Sequence, residues 1–163
     1  FHQVHVAEVK GWSLTAMATG YSTYAAATIA TSFAAGWVAD RFGPAVLLPV
    51  ATLPTAAAMA WLGPASQVVD WIAILTLQGV SQGMVSTLAG TLLPAVYGTD
   101  HLGSVRGMVT ALMVLSTAIG PGITGVFIDL GVTFPEQGST LALWCVLLSL
   151  GLIPVMRRLR RMT

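Results

Sequence analysis

The chain has 163 residues, of which 55% are hydrophobic and 8% are charged, and its formal net charge is +1. Soluble domains carry about 25% charged residues, so this chain has too few charges to cover a surface that faces water. The small net charge and the scattered basic residues exclude a surface that follows the phosphates of a nucleic acid. The lone Cys145 excludes an internal disulfide framework.

Long intervals without Lys, Arg, Asp or Glu predict membrane spans, because a helix needs about 20 apolar residues to cross the hydrocarbon core. In chain order these intervals predict spans over about 14–38, 45–62, 71–97, 107–129 and 139–156. The second interval contains Pro49 and Pro54, which membrane helices tolerate where neighbours satisfy the freed backbone groups. The connecting loops are short, so the sequence predicts one all-α integral membrane bundle over 1–163.

The basic residues predict how the bundle is oriented. If five spans alternate, Arg41, Arg106 and the arginines of 157–161 share one face, and Lys10 lies on the other. Cytoplasmic loops of membrane proteins collect Lys and Arg. We therefore expect a multi-pass protein of the plasma or inner membrane with a cytoplasmic C-terminus.

The segment GWVADRFG, from Gly36 to Gly43, resembles the GxxxDRxG signature of the major facilitator superfamily, although Pro44 replaces the usual basic residue. The resemblance covers the end of helix seven through helix twelve. It implies the C-terminal half of a twelve-helix transporter, whose missing N-terminal six-helix half would be its partner. It also implies secondary transport of a small solute by alternating access, driven by a coupling ion or counter-substrate. A likeness to the oxalate and monocarboxylate branches implies small organic anions.

The same resemblance implies gating residues. The loop with Gly36, Asp40, Arg41 and Gly43 would latch one face of the transporter closed, and Arg106 resembles an arginine before helix eleven of carboxylate transporters. A carboxylate at Asp40 could meet the positive N-terminus of a neighbouring helix. The alternative is that these charges only anchor helix ends among lipid headgroups.

Polar side chains at membrane depth are costly, and they indicate either ligand contacts or bonds between helices. The glutamines of the third span lie four residues apart, on one helix face, and the tyrosines of the first span lie three apart. The sequence predicts a solute cavity with these candidates: His2, Gln3, Tyr21, Tyr24, Gln78 and Gln82. Bonding to neighbouring helices, without any ligand, is the alternative for each of them.

Two glycine-containing stretches predict close helix packing or helix bending. They comprise Gly79, Gly83, Gly120, Pro121, Gly122 and Gly125. The second stretch also satisfies GxGxxG, but it lies inside a charge-free run rather than between a strand and a helix. The sequence therefore predicts no nucleotide cofactor.

No catalytic or metal site is predicted. His2, His5 and Glu8 follow a ligand-like spacing without a fourth ligand. No Ser, His and acid arrangement occurs, and no acidic residue lies deep within a predicted span, so a coupling carboxylate is expected in the missing half. The competing hypothesis is a multi-pass membrane scaffold or assembly protein that transports nothing, and an intramembrane enzyme ranks third.

Overall fold

The computed structural model describes residues 2–161, so residues 1, 162 and 163 of the predicted domain lie outside the described residues. Within that range the chain folds into seven α-helices and one 3₁₀ helix. The helices are α1 (Gln3–Lys10), α2 (Leu14–Ala18), α3 (Gly20–Phe42), the 3₁₀ helix (Pro44–Leu47), α4 (Leu53–Leu62), α5 (Val68–Tyr97), α6 (Leu102–Asp129) and α7 (Phe134–Leu159). The predicted all-α class is confirmed.

Three helices of the described chain, α5, α6 and α7, are long and apolar enough to cross a membrane. The 23-residue α3 has sufficient length, but serines, threonines and the pair Asp40 and Arg41 lower its mean hydropathy. The helix of the second interval, α4, has only 10 residues. The five spans therefore stay a prediction. For three of them the structure has a helix whose length and composition suit a membrane span.

The largest helix contact joins α3 and α5, and it depends on two glycines. A Cβ atom at Gly83 would lie 2.6 Å from the backbone oxygen of Thr28, and one at Gly79 would collide with the backbone oxygen of Tyr24. The absence of a side chain at both positions thus lets the two backbones touch. Apolar residues such as Leu75 and Met84 are buried on either side of this contact.

A serine from α5 repairs the break between the 3₁₀ helix and α4. In a regular helix the N–H of Thr55 would donate to the carbonyl oxygen of Ala51, four residues earlier. Here Thr55 N donates to Ser81 Oγ (3.1 Å), and Ser81 Oγ donates to Ala51 O (2.6 Å). One hydroxyl group therefore joins the two backbone groups that the proline-containing turn separates.

A second serine acts at the same break from α7. Ser149 Oγ donates to the carbonyl oxygen of Pro49, and it lies 3.1 Å from Thr52 Oγ1. Ser81 and Ser149 are 5% and 3% exposed, so both hydroxyls are buried where unpaired backbone groups would be most costly. Ser81 of α5 and Ser149 of α7 are thus the neighbours that allow this segment to contain two prolines.

Two helix starts are fixed by side-chain caps. Gln67 and Asp70 form a reciprocal capping box at the start of α5, and Thr133 and Glu136 form another at the start of α7. Each box satisfies backbone N–H groups that have no partner within the helix. Both helices therefore begin a few residues before the predicted apolar spans.

The helix α6 is held least firmly, because none of its residues is buried. Cβ atoms at Gly120, Gly122 and Gly125 would meet nothing within 4 Å among the described residues. No neighbour among the described residues packs against these glycines, so their role in close packing or helix bending stays a prediction. The helix also starts at Leu102, which puts Arg106 on a helix rather than in the predicted loop.

Candidate functional site

A cavity of about 360 Å³ lies between the helices near the start of α5. Five α-helices beside α5 contribute to its wall: α1, α3, α4, α6 and α7. Its lining is mainly apolar and includes Val6, Met59, Leu62, Ile74, Leu75, Pro121 and Phe134. A concave, largely apolar space with a few polar groups is the usual form of a small-molecule site.

Four of the six predicted cavity residues line this space: His2, Gln3, Tyr21 and Gln78. The hydroxyl of Tyr21 donates a short hydrogen bond to Gln3 Oε1, which joins α3 to α1. His2 Nε2 lies 2.6 Å from Thr124 Oγ1, a contact that links the start of α1 to α6. The structure thus brings together polar residues that are up to 122 positions apart in the chain.

The other two predicted cavity residues are not among the lining. Gln82 lies one helical turn, about 6 Å, further along α5 than Gln78. It is exposed and lies outside the cavity lining. Tyr24 is half-buried and packs against the core cluster that contains Leu75. The spacings of four and three residues predicted that each pair shares a helix face. They did not predict how far along the helix the cavity extends.

Gln78 is held by the repaired helix break described above. The hydroxyl of Thr55 donates to Gln78 Oε1 at 3.0 Å, and the backbone N–H of the same threonine donates to Ser81. A side chain of the cavity wall is therefore connected through two hydrogen bonds to a buried serine. The break in the second predicted span, which the sequence showed only as two prolines, positions a residue of the site.

Sequence reasoning missed three polar or aromatic lining residues: Trp71, Thr124 and Phe134. Trp71 lies seven positions before Gln78, two helical turns away on the same face of α5, and this spacing could have identified it. It is 8% exposed, and its indole N–H has no acceptor among residues 2–161. Phe134 contacts the ring of His2 with the centroids 5.2 Å apart, a pairing that no local sequence pattern signals.

The lining carries no formal charge at neutral pH when His2 is neutral, because it contains neither Asp, Glu, Lys nor Arg. Its polar groups are an imidazole, a phenol, an indole N–H, a hydroxyl and two amides. Such a wall can orient a small solute through hydrogen bonds while apolar side chains surround its body. Across the described chain, no group of three or more His, Cys, Asp or Glu residues is placed to hold a metal ion.

The signature segment lies at the C-terminal end of α3, away from the cavity. The guanidinium of Arg41 lies 5.6 Å from the ring centroid of Trp37 and 5.7 Å from that of Phe42, within the range of cation–π attraction. Asp40 is exposed and has no hydrogen-bond or ion-pair partner within residues 2–161. A Cβ atom at Gly36 would meet nothing within 4 Å there. Gly43 ends α3 with a φ of 84°, which favours glycine.

These features define a multi-pass helical membrane protein whose bundle surrounds a cavity of solute size. Comparison with known families is decisive: the sequence matches the Major Facilitator Superfamily over residues 1–161, and the chain belongs to this family. Its members are secondary transporters and not enzymes, so membrane transport of a small solute is its class of function. No curated protein and no solved structure matches the chain.

Proposed function

We propose that the chain forms part of a secondary transporter that moves small organic anions by alternating access. The observation that carries the proposal is the cavity near the start of α5, where polar groups from several helices face one space. A site between helices that can move against one another is what alternating access needs. The weak attachment of α6, which has no buried residue, is consistent with such movement.

The chemistry of the lining favours an anion over a cation. No carboxylate lines the cavity, so nothing there would repel a negative charge or neutralise a positive one. Gln3, Gln78 and Trp71 carry N–H groups without an acceptor among residues 2–161, and neutral donors bind carboxylates through charge-assisted hydrogen bonds. The apolar residues around them suit the hydrocarbon part of an organic acid.

The same proposal covers the other parts of the transporter. An N-terminal six-helix half would complete the cavity, and the latch residues Gly36, Asp40, Arg41 and Gly43 would contact that half. Arg106 would anchor the cytoplasmic start of α6, in a plasma or inner membrane with the C-terminus in the cytoplasm. The acidic residues Asp40 and Asp129 are exposed at helix ends, so a coupling carboxylate is expected elsewhere in the transporter.

Uptake by proteoliposomes tests this function. The full-length protein is reconstituted, and the entry of radiolabelled oxalate, lactate, benzoate and glucose is followed with and without an imposed proton or sodium gradient. We expect uptake of at least one acid above that of protein-free liposomes, and little uptake of glucose. Uptake of glucose alone would leave transport standing and overturn the anion class. If no solute enters under any gradient, the non-transporting scaffold becomes the better hypothesis.

A further inference from the structure

The two glutamines of the cavity wall have their oxygen atoms engaged and their amino groups free. Gln3 Oε1 accepts the hydroxyl of Tyr21, and Gln78 Oε1 accepts the hydroxyl of Thr55. Within residues 2–161 neither amino group has a protein acceptor, and neither is among the buried polar atoms that lack a partner. Both NH₂ groups therefore remain in contact with open space, in side chains that line the same cavity.

The hydroxyl of Thr55 orients the Gln78 amide. A helical threonine commonly donates to the carbonyl oxygen four residues earlier, which here is that of Ala51. Ser81 already donates to this oxygen at 2.6 Å. The bond from Thr55 Oγ1 is instead made to Gln78 Oε1, so the oxygen of the amide faces Thr55 and the amino group faces away.

A third N–H group in the same wall lacks an acceptor. The indole nitrogen of Trp71 can only donate, and no residue of the described chain accepts its proton. Leaving a buried donor unpaired costs about 1–3 kcal/mol. Unlike the two amino groups, this atom is closed off from solvent, so a ligand would reach it only after neighbouring side chains move. All three unpaired groups are donors, which indicates a ligand that supplies acceptors.

We propose that the amino groups of Gln3 and Gln78 receive the carboxylate of the transported solute. Thr55 is a positioning residue in this arrangement, since it holds the Gln78 amide with its NH₂ group toward the cavity. Selectivity for acids would thus depend on two oriented neutral amides rather than on Lys or Arg. The assignment rests on the proposed transport of organic anions, and it names the groups that recognise them.

The first experiment replaces the amino group of Gln78 with an oxygen. Gln78→Glu keeps the size of the side chain and an acceptor for Thr55, but it puts a negative charge where the donor was. In proteoliposomes with the full-length protein, we expect the KM for lactate and benzoate to rise about tenfold or more, the effect of losing a hydrogen bond to a charged group. Inhibition of benzoate uptake by benzylamine, a cation with the same ring, should strengthen.

Gln82→Glu is the matched control, because it adds the same charge one turn further along α5, outside the cavity. Its KM for both acids should rise much less than that of Gln78→Glu, because the added charge does not line the cavity. Gln3→Glu should resemble Gln78→Glu if both amides receive the carboxylate. Equal KM values for Gln78→Glu and Gln82→Glu would overturn the assignment and leave anion transport intact.

The second experiment tests the positioning role of Thr55. Thr55→Val removes the hydroxyl and frees the Gln78 amide to turn, so we expect preference for benzoate over benzyl alcohol to fall. Thr55→Ser should restore the preference, because serine again supplies the hydroxyl. Thr91→Val is the control, since within residues 2–161 the Thr91 hydroxyl bonds only to the carbonyl oxygen of Thr87 in the same helix. A loss of uptake without a change in preference would show that Thr55 serves the fold alone.

Failure of this assignment is distinguishable from failure of the proposed function. If wild-type protein transports benzyl alcohol but neither acid, the carboxylate site is overturned while transport itself stands. If the wild-type protein takes up neither the acids nor the alcohol, the proposed function fails, and this assignment fails with it. If acids are transported and both glutamine variants behave like the wild type, other groups recognise the carboxylate.

Discussion

The contact between α3 and α5 predicts that Gly83→Ala destabilises the protein, although alanine is the better helix former. The new Cβ atom would lie 2.6 Å from the backbone oxygen of Thr28 and 2.8 Å from Thr31 Cβ. Backbone atoms cannot rotate away as a flexible side chain can. To restore an ordinary contact of 3.4 Å, the helices must separate by about 0.8 Å along this direction.

The free-energy change follows from two opposing effects. Forcing an extra methyl group into a close contact costs about 1–3 kcal/mol, and replacing a helical glycine with alanine returns up to about 1 kcal/mol. We expect a net loss of about 1–2 kcal/mol in the free energy of unfolding. This lowers the Tm by about 2–4 °C per kcal/mol in a protein of 150–250 residues, and by less in the larger full-length protein.

The assay is thermal unfolding of the purified full-length protein in detergent, followed by tryptophan fluorescence. Gly90→Ala is the control, because Gly90 lies seven residues further along the same helix and its Cβ would meet nothing within 4 Å. This variant should match or slightly exceed the wild-type Tm. A Tm for Gly83→Ala that is equal to that of Gly90→Ala would refute the close contact.

Two further predictions concern the helix break and the topology. Ser81→Ala leaves the groups it bridges unpaired and should cost about 1–3 kcal/mol by the same thermal assay. Ser116→Ala, at an exposed hydroxyl that bonds Leu112 O of its own helix, should change the Tm little. Equal shifts would contradict the bridge. In a Cys145→Ala background, a membrane-impermeant thiol reagent on intact cells should label Ser66→Cys and not Thr99→Cys, and the reverse pattern would invert the proposed orientation.

The sequence predicted the helical class and the family because both depend on patterns of residues that lie close together along the chain. Charge-free intervals show where lipid is tolerated, and the GxxxDRxG segment from Gly36 to Gly43 is contiguous. Gly79 and Gly83 were likewise recognisable by their spacing as a helix contact, and the structure places both against α3. Their partner helix was not predictable, since spacing within one helix carries no information on its neighbour.

The candidate site could be predicted only in part, because its membership depends on depth and on long-range bonds. Gln78 and Gln82 share a face of α5, yet only Gln78 reaches the cavity. The contact between His2 and Thr124 joins residues 122 positions apart, which no local pattern encodes. The role of Thr55 was not predictable either. It depends on how two prolines interrupt a helix and on the hydrogen bond that Ser81 then accepts from the Thr55 backbone.

The serine bridge at the break of the second predicted span has a consequence for how the chain is assembled. Until α5 and α7 have been synthesised, Ser81 and Ser149 are absent, and the carbonyl groups of Ala51 and Pro49 lack the donors they have in the native fold. A bare backbone group in hydrocarbon costs several kcal/mol, so a lone 45–62 segment would partition poorly into lipid. We expect this segment to stay at the insertion machinery or the membrane surface until its later neighbours arrive. The order of synthesis and the order of membrane insertion would then differ in this protein.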